Sequence, residues 1–392
     1  MPPYLADRSD QLARFIKHVE AFPENSSNLR ITGLRGVGKT VLLREYERLA
    51  IERGWVVIRR DLTPRLQDES DFARVFASHL EEAAEQLSMA RKIKNIAGKT
   101  VGTARQLATF SYQDIDISLG GDTSTTPTLL DDAVRTGLAE LAELAAKADR
   151  GVVFLYDEAH VLRDRKRSRQ FPLSALLSAF VSVQEQDVPV MLVLCGLPPL
   201  VRNLSEARSH SERMFRAEDI TRLNTTRRNG VSEAALALIR PAEDTKVLFD
   251  LDVAEQVVRE IDGYPYFIQK YGAALWDAAV DSGSDHVAQV TYATIRKLVR
   301  DDLDFEFFEG RYVDAKRADQ KTLRVAASLG DETFVIADLI RELGVSNNVI
   351  QASINRLIQD NLVFRVRYGE VAYTAPMFGD YLRRKHPRQQ ED

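Results

Sequence analysis

A chain of 392 residues is longer than one hydrophobic core usually serves, so two or three domains are expected. With 44% hydrophobic and 28% charged residues the composition is globular, which excludes wholesale disorder. Fifty-three Lys and Arg against 58 Asp and Glu give a formal charge of −5, so coating nucleic acid by bulk charge is excluded and only a local basic face is left for that purpose. One cysteine, Cys195, excludes an internal disulfide framework and a cysteine-rich zinc site, and suits a reducing compartment. MPPYLADRSD has no basic-then-apolar signal pattern, and no run approaches the roughly 20 apolar residues of a membrane span. The expectation is a cytoplasmic protein with no membrane partner.

Leu12, Phe15, Ile16 and Val19 recur at helical spacing and predict an opening helix. A polar turn over 25–28 precedes a short strand at 29–32, a glycine-punctuated stretch at 33–40, and a helix over 41–51. A second strand is expected at 55–60 and a helix over 71–90. From about Arg91 to about 130 the pattern breaks into basic residues (Arg91, Lys92, Lys94, Lys99, Arg105), a strand at 112–119 and a GGDTSTTPT loop, read as an insertion. A helix over 131–148 follows, then apolar strands at 151–156 and 188–194 and a last strand at 219–223. Short apolar strands separated by helices predict an α/β fold, a parallel sheet between helices. Past Ser232 the strand signals stop, and helices fit 233–239, 253–261, 266–280 and 291–303. After Gly310, helices at 318–328, 336–343 and 347–359 lead into strands at 363–367 and 371–374, joined at Tyr368-Gly369-Glu370 by a hairpin turn. Domains are therefore expected at 1–230, 231–309 and 310–392.

Gly33-Leu34-Arg35-Gly36-Val37-Gly38-Lys39-Thr40 satisfies GxxxxGK[ST] between a strand and a helix that begins at Val41. Glycines let consecutive N–H groups turn inward, and the helix N-terminus adds partial positive charge, which together suit phosphate. Gly33, Arg35, Gly36, Val37, Gly38, Lys39, Thr40 and Val41 are thus candidate contacts for ATP, with Lys39 reaching the β- and γ-phosphates and Thr40 a ligand of Mg2+. The strand ending Val152-Val153-Phe154-Leu155-Tyr156-Asp157-Glu158 delivers two carboxylates to its C-terminal edge. Asp157 is the second Mg2+ residue, and Glu158 the general base for an attacking water.

With these motifs the chain resembles the AAA+ ATPases, specifically their origin-recognition-complex-like group. That resemblance implies a P-loop NTPase core, an all-α lid and a C-terminal winged helix. Ala6-Asp7-Arg8 ahead of a helix resembles the family's entry motif near the adenine, which adds Arg8 to the nucleotide contacts. The family's first sensor falls where Cys195-Gly196-Leu197-Pro198 stands, and its second falls at Gly263-Tyr264-Pro265-Tyr266-Phe267. Neither the usual polar residue nor the usual arginine is present, which implies slow turnover and a switch rather than a fast motor. Among Ser211-Glu212-Arg213-Met214-Phe215-Arg216, the resemblance implies an arginine finger, Arg213 first and Arg216 second, acting on a neighbouring subunit or partner protein.

In the third helix of the C-terminal module, Asn347, Gln351 and Asn355 line one polar face, and amides can pair with base edges in a major groove. Arg365 and Arg367 flank the hairpin turn, where they can meet phosphate of duplex DNA. Residues 311–392 carry 13 Lys and Arg against 11 Asp and Glu, a net +2 that mildly favours such contact. Arg163, Arg165, Lys166, Arg167 and Arg169 form a second basic cluster just after the acidic strand. Two rival outputs share these features: a STAND-type signalling or transcriptional switch, and an ATP-loaded, non-catalytic scaffold in a defence or mobile-element complex.

Overall fold

The computed structural model describes residues 4–21, 28–97, 127–185, 188–208 and 211–388. They group into two compact units. One comprises Ser9–Gly33 and Lys39–Ile220, and the other Met1–Arg8, Leu34–Gly38 and Thr221–Asp392.

The first unit is built on five parallel strands, β1 (Asn28–Gly33), β2 (Val56–Asp61), β3 (Val152–Asp157), β4 (Val190–Gly196) and β5 (Phe215–Ile220), in the order β2-β3-β4-β1-β5. Every residue of β3 and β4 is buried, as expected for central strands covered on both faces. The two-residue alternation divides their side chains between two cores. Val152, Phe154, Tyr156, Val190, Leu192 and Leu194 join the cluster beneath α3 (Glu69–Ala97), α4 (Pro127–Ala148) and α5 (Pro172–Gln184). Asp157 and Cys195 have the parity of the opposite face, where α1 (Ser9–Ala21) and α2 (Lys39–Glu52) pack and Phe15 stacks on Tyr46 at 4.0 Å. Burying each large apolar side chain of this kind stabilises the fold by about 1.5–3 kcal/mol.

Several boundaries differ from the sequence reading. Helix α3 runs to Ala97, so Arg91, Lys92 and Lys94 sit on a helix and not in the predicted break. The strand expected at 112–119 and most of the GGDTSTTPT loop, with Lys99 and Arg105, lie outside the described residues. Strand β5 begins at Phe215, not Asp219, because an edge strand with the pattern buried-exposed-exposed-buried-exposed-buried has too little apolar character to announce itself. Helices α5 and α6 (Pro199–Ala207), each opened by a proline, were not anticipated.

In the second unit, helices Glu233–Ile239, Leu251–Ile261, Pro265–Asp281 and Gln289–Leu303 match expectation closely. Two-residue pairings also occur there, Arg227–Arg228 with Val231–Ser232 and Leu248–Phe249 with His286–Val287, so the segment is not purely helical. A π-helical turn, Asp304–Glu309, leads into Gly310–Asp314. Next come helix Arg317–Leu329, strand Thr333–Val335, helices Ile336–Leu343 and Asn347–Gln359, the hairpin Val363–Arg367/Glu370–Tyr373 and helix Phe378–Lys385. The short strand at 333–335, missed in the sequence, adds to the hairpin as a third antiparallel strand. Asp319 of helix Arg317–Leu329 is fully buried and receives Arg356 at 2.6 and 2.8 Å and Ser353 at 2.5 Å. Burial alone would push that carboxyl up, but these bonds hold it below the usual range.

Phe267, Phe307, Phe308, Phe378 and Tyr381 form one aromatic chain that fastens the helical segment to the C-terminal segment. Arg384 bridges the same seam, reaching the buried Asp304 at 2.7 and 2.8 Å.

Candidate nucleotide site

In the first unit, α2 opens at Lys39 directly after the glycine-rich loop, and β3 ends at Asp157. The Thr40 hydroxyl donates to Asp157 Oδ2 at 2.6 Å, and Asp157 is 3% exposed. Asp157 Oδ1 accepts the Glu158 backbone N–H at 2.8 Å, which fixes the carboxylate plane. Glu158 takes a left-handed φ of 54° at the turn leaving β3, so its carboxyl stands in a different direction from the strand residues before it. His160 Nδ1 lies 3.3 Å from Glu158 Oε2.

Cys195 occupies the tip of β4, fully buried. Burial pushes its thiol well up, and the charge of Asp157, which also accepts a hydrogen bond from it, pushes the same way. A neutral thiol donating to the carboxylate is therefore the group at the position where a polar sensor was expected. Next to it Gly196 is required: a Cβ there would lie 2.9 Å from the His160 backbone nitrogen. Asn203 Nδ2 donates to the carbonyls of His160 (2.8 Å) and Leu162 (3.2 Å) and so fixes the turn after β3. No local sequence signal marks that residue.

In the second unit the loop residues 34–38 are held from their carbonyl side. Tyr264 donates its hydroxyl to the Arg35 carbonyl, the Tyr266 N–H donates to the Gly36 carbonyl at 3.2 Å, and Arg8 Nη2 donates to the Val37 carbonyl at 3.2 Å. In a trans peptide the carbonyl of one residue and the N–H of the next point oppositely. With three successive carbonyls anchored, the N–H groups of Gly36, Val37 and Gly38 turn to the other face and form an anion-binding concavity. Gly36 and Gly38 adopt φ of 82° and 92° to do so, and a Cβ at Gly36 would stand 3.1 Å from both Tyr264 Cε1 and Tyr266 Cβ. Arg8 is 4% exposed and also donates to the carbonyls of Thr221 (2.7 Å) and Asp7 (2.9 Å). Its visible work is to position the loop, a role the sequence reading did not foresee.

Thr40 and Asp157 are a hard-oxygen pair suited to Mg2+, which commonly takes one or two protein oxygens and completes its shell with water and phosphate. Among the described residues there is no cluster of three or more His, Cys, Asp or Glu side chains placed to hold a metal by themselves.

The remaining candidates fall elsewhere. Arg213 lies in the short helix Ser211–Met214 and Arg216 within β5; both are exposed. Arg163, Lys166, Arg167 and Arg169 are exposed around a small bridge between Arg165 and Gln170, while Arg165 donates to the Gln67 carbonyl at 2.9 Å. In the C-terminal segment the polar helix face and the hairpin meet. Arg365 Nη2 donates to Gln351 Oε1 at 2.9 Å and Asn355 Oδ1 at 3.1 Å, and Gln351 donates to Asn347 at 3.3 Å. Arg367 is instead drawn into an ion pair with Glu370.

Known proteins resemble this chain in sequence over its first part and in fold. Residues 4–193, just under half of the chain, match the family model described as an AAA ATPase domain, and they carry the glycine-rich loop and strands β1 to β3 of the parallel sheet. Residues 306–382 match a domain of unknown function. The Walker-type ATPase PABY2304 of Pyrococcus abyssi shares the fold at a TM-score of 0.56 and 17% identity, over 97% of this chain and 96% of that one. The Aeropyrum pernix ORC2 protein, in its ADPNP-ADP complexes, gives 0.56 at 12% identity over 97% and 93%. The ADP form of the same protein gives 0.50 at 13% over 95% and 91%. No curated protein matches. Among the described residues, no helix is long and apolar enough to cross a membrane.

Proposed function

We propose that this protein binds and slowly hydrolyses ATP with Mg2+, and acts as a nucleotide-dependent switch or assembly factor on duplex DNA. The observation that carries the reading is the pair formed by Thr40 and Asp157 at the start of α2, directly after a loop in which the carbonyls of Arg35, Gly36 and Val37 are anchored away from the amides. Lys39, 9% exposed, supplies an ammonium to the triphosphate, and the loop amides take its oxygens. Bound Mg2+, held by Thr40 and Asp157, would neutralise developing phosphate charge. Glu158 orients and deprotonates the water, and His160 sits close enough to its carboxyl to set its direction. Cys195, with a weakly donating thiol, is a poor substitute for a hydroxyl or amide in stabilising transition-state charge, which favours slow turnover. Arg213 is our choice of finger toward a neighbouring subunit, with Arg216 second.

The domain organisation we favour is a core over 1–230, with an insertion at about 91–130, a lid over 231–309 and a winged helix over 310–392. The helix order and three-stranded sheet of the last segment support the name. A STAND-type switch is a second reading, favoured by one observation: Arg35 of the loop shares a cavity with Asp360, Asn361 and Thr374 of the C-terminal segment.

Nucleotide calorimetry and phosphate release on three variants test the main reading. Lys39→Ala should lose ATP affinity; Glu158→Gln should bind ATP normally but turn over about 10²–10⁴-fold more slowly. Arg213→Ala should bind normally and lose only the activity that rises with protein concentration. Wild-type affinity in Lys39→Ala would remove the foundation. Light scattering with and without ATP and duplex DNA separates the readings: assembly supports the DNA-bound factor, and a monomer throughout supports the closed switch.

A further inference from the structure

A cavity of about 270 Å3 lies beside the phosphate loop, within the single compact unit that also holds the C-terminal segment. That is room well beyond one water, whose share of liquid volume is about 30 Å3. Its walls come from Arg35 of the loop, from Tyr264, from Arg311 and Asp314 of helix Gly310–Asp314, and from Asp360 and Asn361 at the base of the hairpin.

Two guanidinium groups share this space. Arg311 lies with its guanidinium 3.7 Å over the Phe307 ring, which fixes its plane and leaves its edge donors unengaged. Among the described residues neither Arg35 nor Arg311 forms an ion pair with a carboxylate. Burial and the like charge of Arg35 push Arg311 below its ordinary value, a sign that the two cations feel each other across the cavity. The hydroxyls around it already have acceptors: Tyr264 donates to the Arg35 carbonyl, and Thr374 donates to the Asn361 carbonyl at 2.7 Å. The donors left for a ligand are the two arginines and the Asn361 amide. The acceptors left are Asp314 and Asp360. A cavity lined by two guanidinium groups and two carboxylates suits a molecule that carries both an anionic group and hydroxyl or amino groups.

We propose that this cavity binds a small phosphorylated ligand, its phosphate between Arg35 and Arg311 and its hydroxyl or amino groups toward Asp314 and Asp360. The site is separate from the amide concavity, because Tyr264 and the Arg35 carbonyl mark it as lying on the loop's other side. Occupancy would join the loop to the C-terminal segment through one ligand, so it would bias any motion between them.

The test uses the full chain carrying Lys39→Ala, which weakens phosphate binding at the loop amides. Inorganic phosphate and ribose 5-phosphate are titrated separately by calorimetry. Saturable binding of either is expected, weakened at least about tenfold when Arg311→Met, which keeps an apolar stem on Phe307, is added. Arg35→Gln in the same background provides a second variant should Arg311→Met fold poorly. Ribose 5-phosphate binding at least about tenfold tighter than inorganic phosphate identifies an organic phosphate as occupant, and equal affinities identify free phosphate. No saturation by either up to about 10 mM, or binding indifferent to both substitutions, overturns the proposal.

Discussion

Tyr264→Phe removes one oxygen from a residue 3% exposed and leaves the Arg35 carbonyl without its donor. A lost hydrogen bond of this kind costs about 0.5–1.5 kcal/mol when water can replace the donor, and about 1–3 kcal/mol when it cannot. The loop keeps its other two anchors, from Tyr266 and Arg8, so the expected effect is a partial loosening worth about 1–2 kcal/mol. If the loosened loop leaves its amide-converging shape for a fraction of the time, apparent ATP affinity falls by that fraction, about 5- to 30-fold. Calorimetric titration with ATP and Mg2+ measures this, and hydrogen exchange at the Gly36, Val37 and Gly38 amides should speed up in parallel. An affinity within twofold of wild type together with unchanged exchange at those three amides would refute the idea that the carbonyl anchors shape the site.

Two further outcomes are expected. Arg365 ties the amide-bearing helix to the hairpin, so Arg365→Ala should weaken duplex binding at every sequence and lower the slope of log affinity against log salt by about 1; identical slopes would show that DNA contact, if any, lies elsewhere. His79, buried with its Nδ1 2.9 Å from the Tyr156 hydroxyl, is pushed down from 6.5 to about 4 by burial and the charge of Arg60. The unfolded chain therefore takes up a proton at a pH where the folded one does not. This part of the stability is complete above about 6.5 and falls by about 2–3 kcal/mol as pH drops toward about 4. Urea unfolding of wild type and His79→Gln at pH 7 and 4.5 checks it, with a flatter pH response expected in the variant; parallel responses would exclude His79 as the source.

Elements with strong local signatures were readable in advance. Strand β3 is a continuous apolar run, the phosphate loop carries its glycines at fixed spacing, and helices 336–343 and 347–359 and strand 363–367 have their predicted ends. Strand β5 was misplaced because polar partners, not apolar burial, secure much of it: Arg14 grips Glu218 at 2.6 and 2.7 Å, and Thr32 donates to Asp219. Of the candidate site, Lys39, Thr40, Asp157 and Glu158 were visible because each sits at a strand or helix end. Arg8, Tyr264 and Asn203 act through backbone carbonyls distant in sequence, and no periodicity or spacing encodes such a contact. The link between Arg365 and the amides of Gln351 and Asn355 likewise appears only once hairpin and helix are folded against each other.

Arg35 and the tyrosine that anchors it are 229 residues apart. On a ribosome adding about 5–20 residues per second, the glycine-rich turn emerges roughly 10–50 s before Tyr264 is even synthesised. Throughout that interval the nascent chain possesses the motif but lacks this part of the frame that shapes it. On the proposed reading, newly made protein acquires its grip on triphosphate late, and a partly translated chain does not commit to nucleotide before Tyr264 exists.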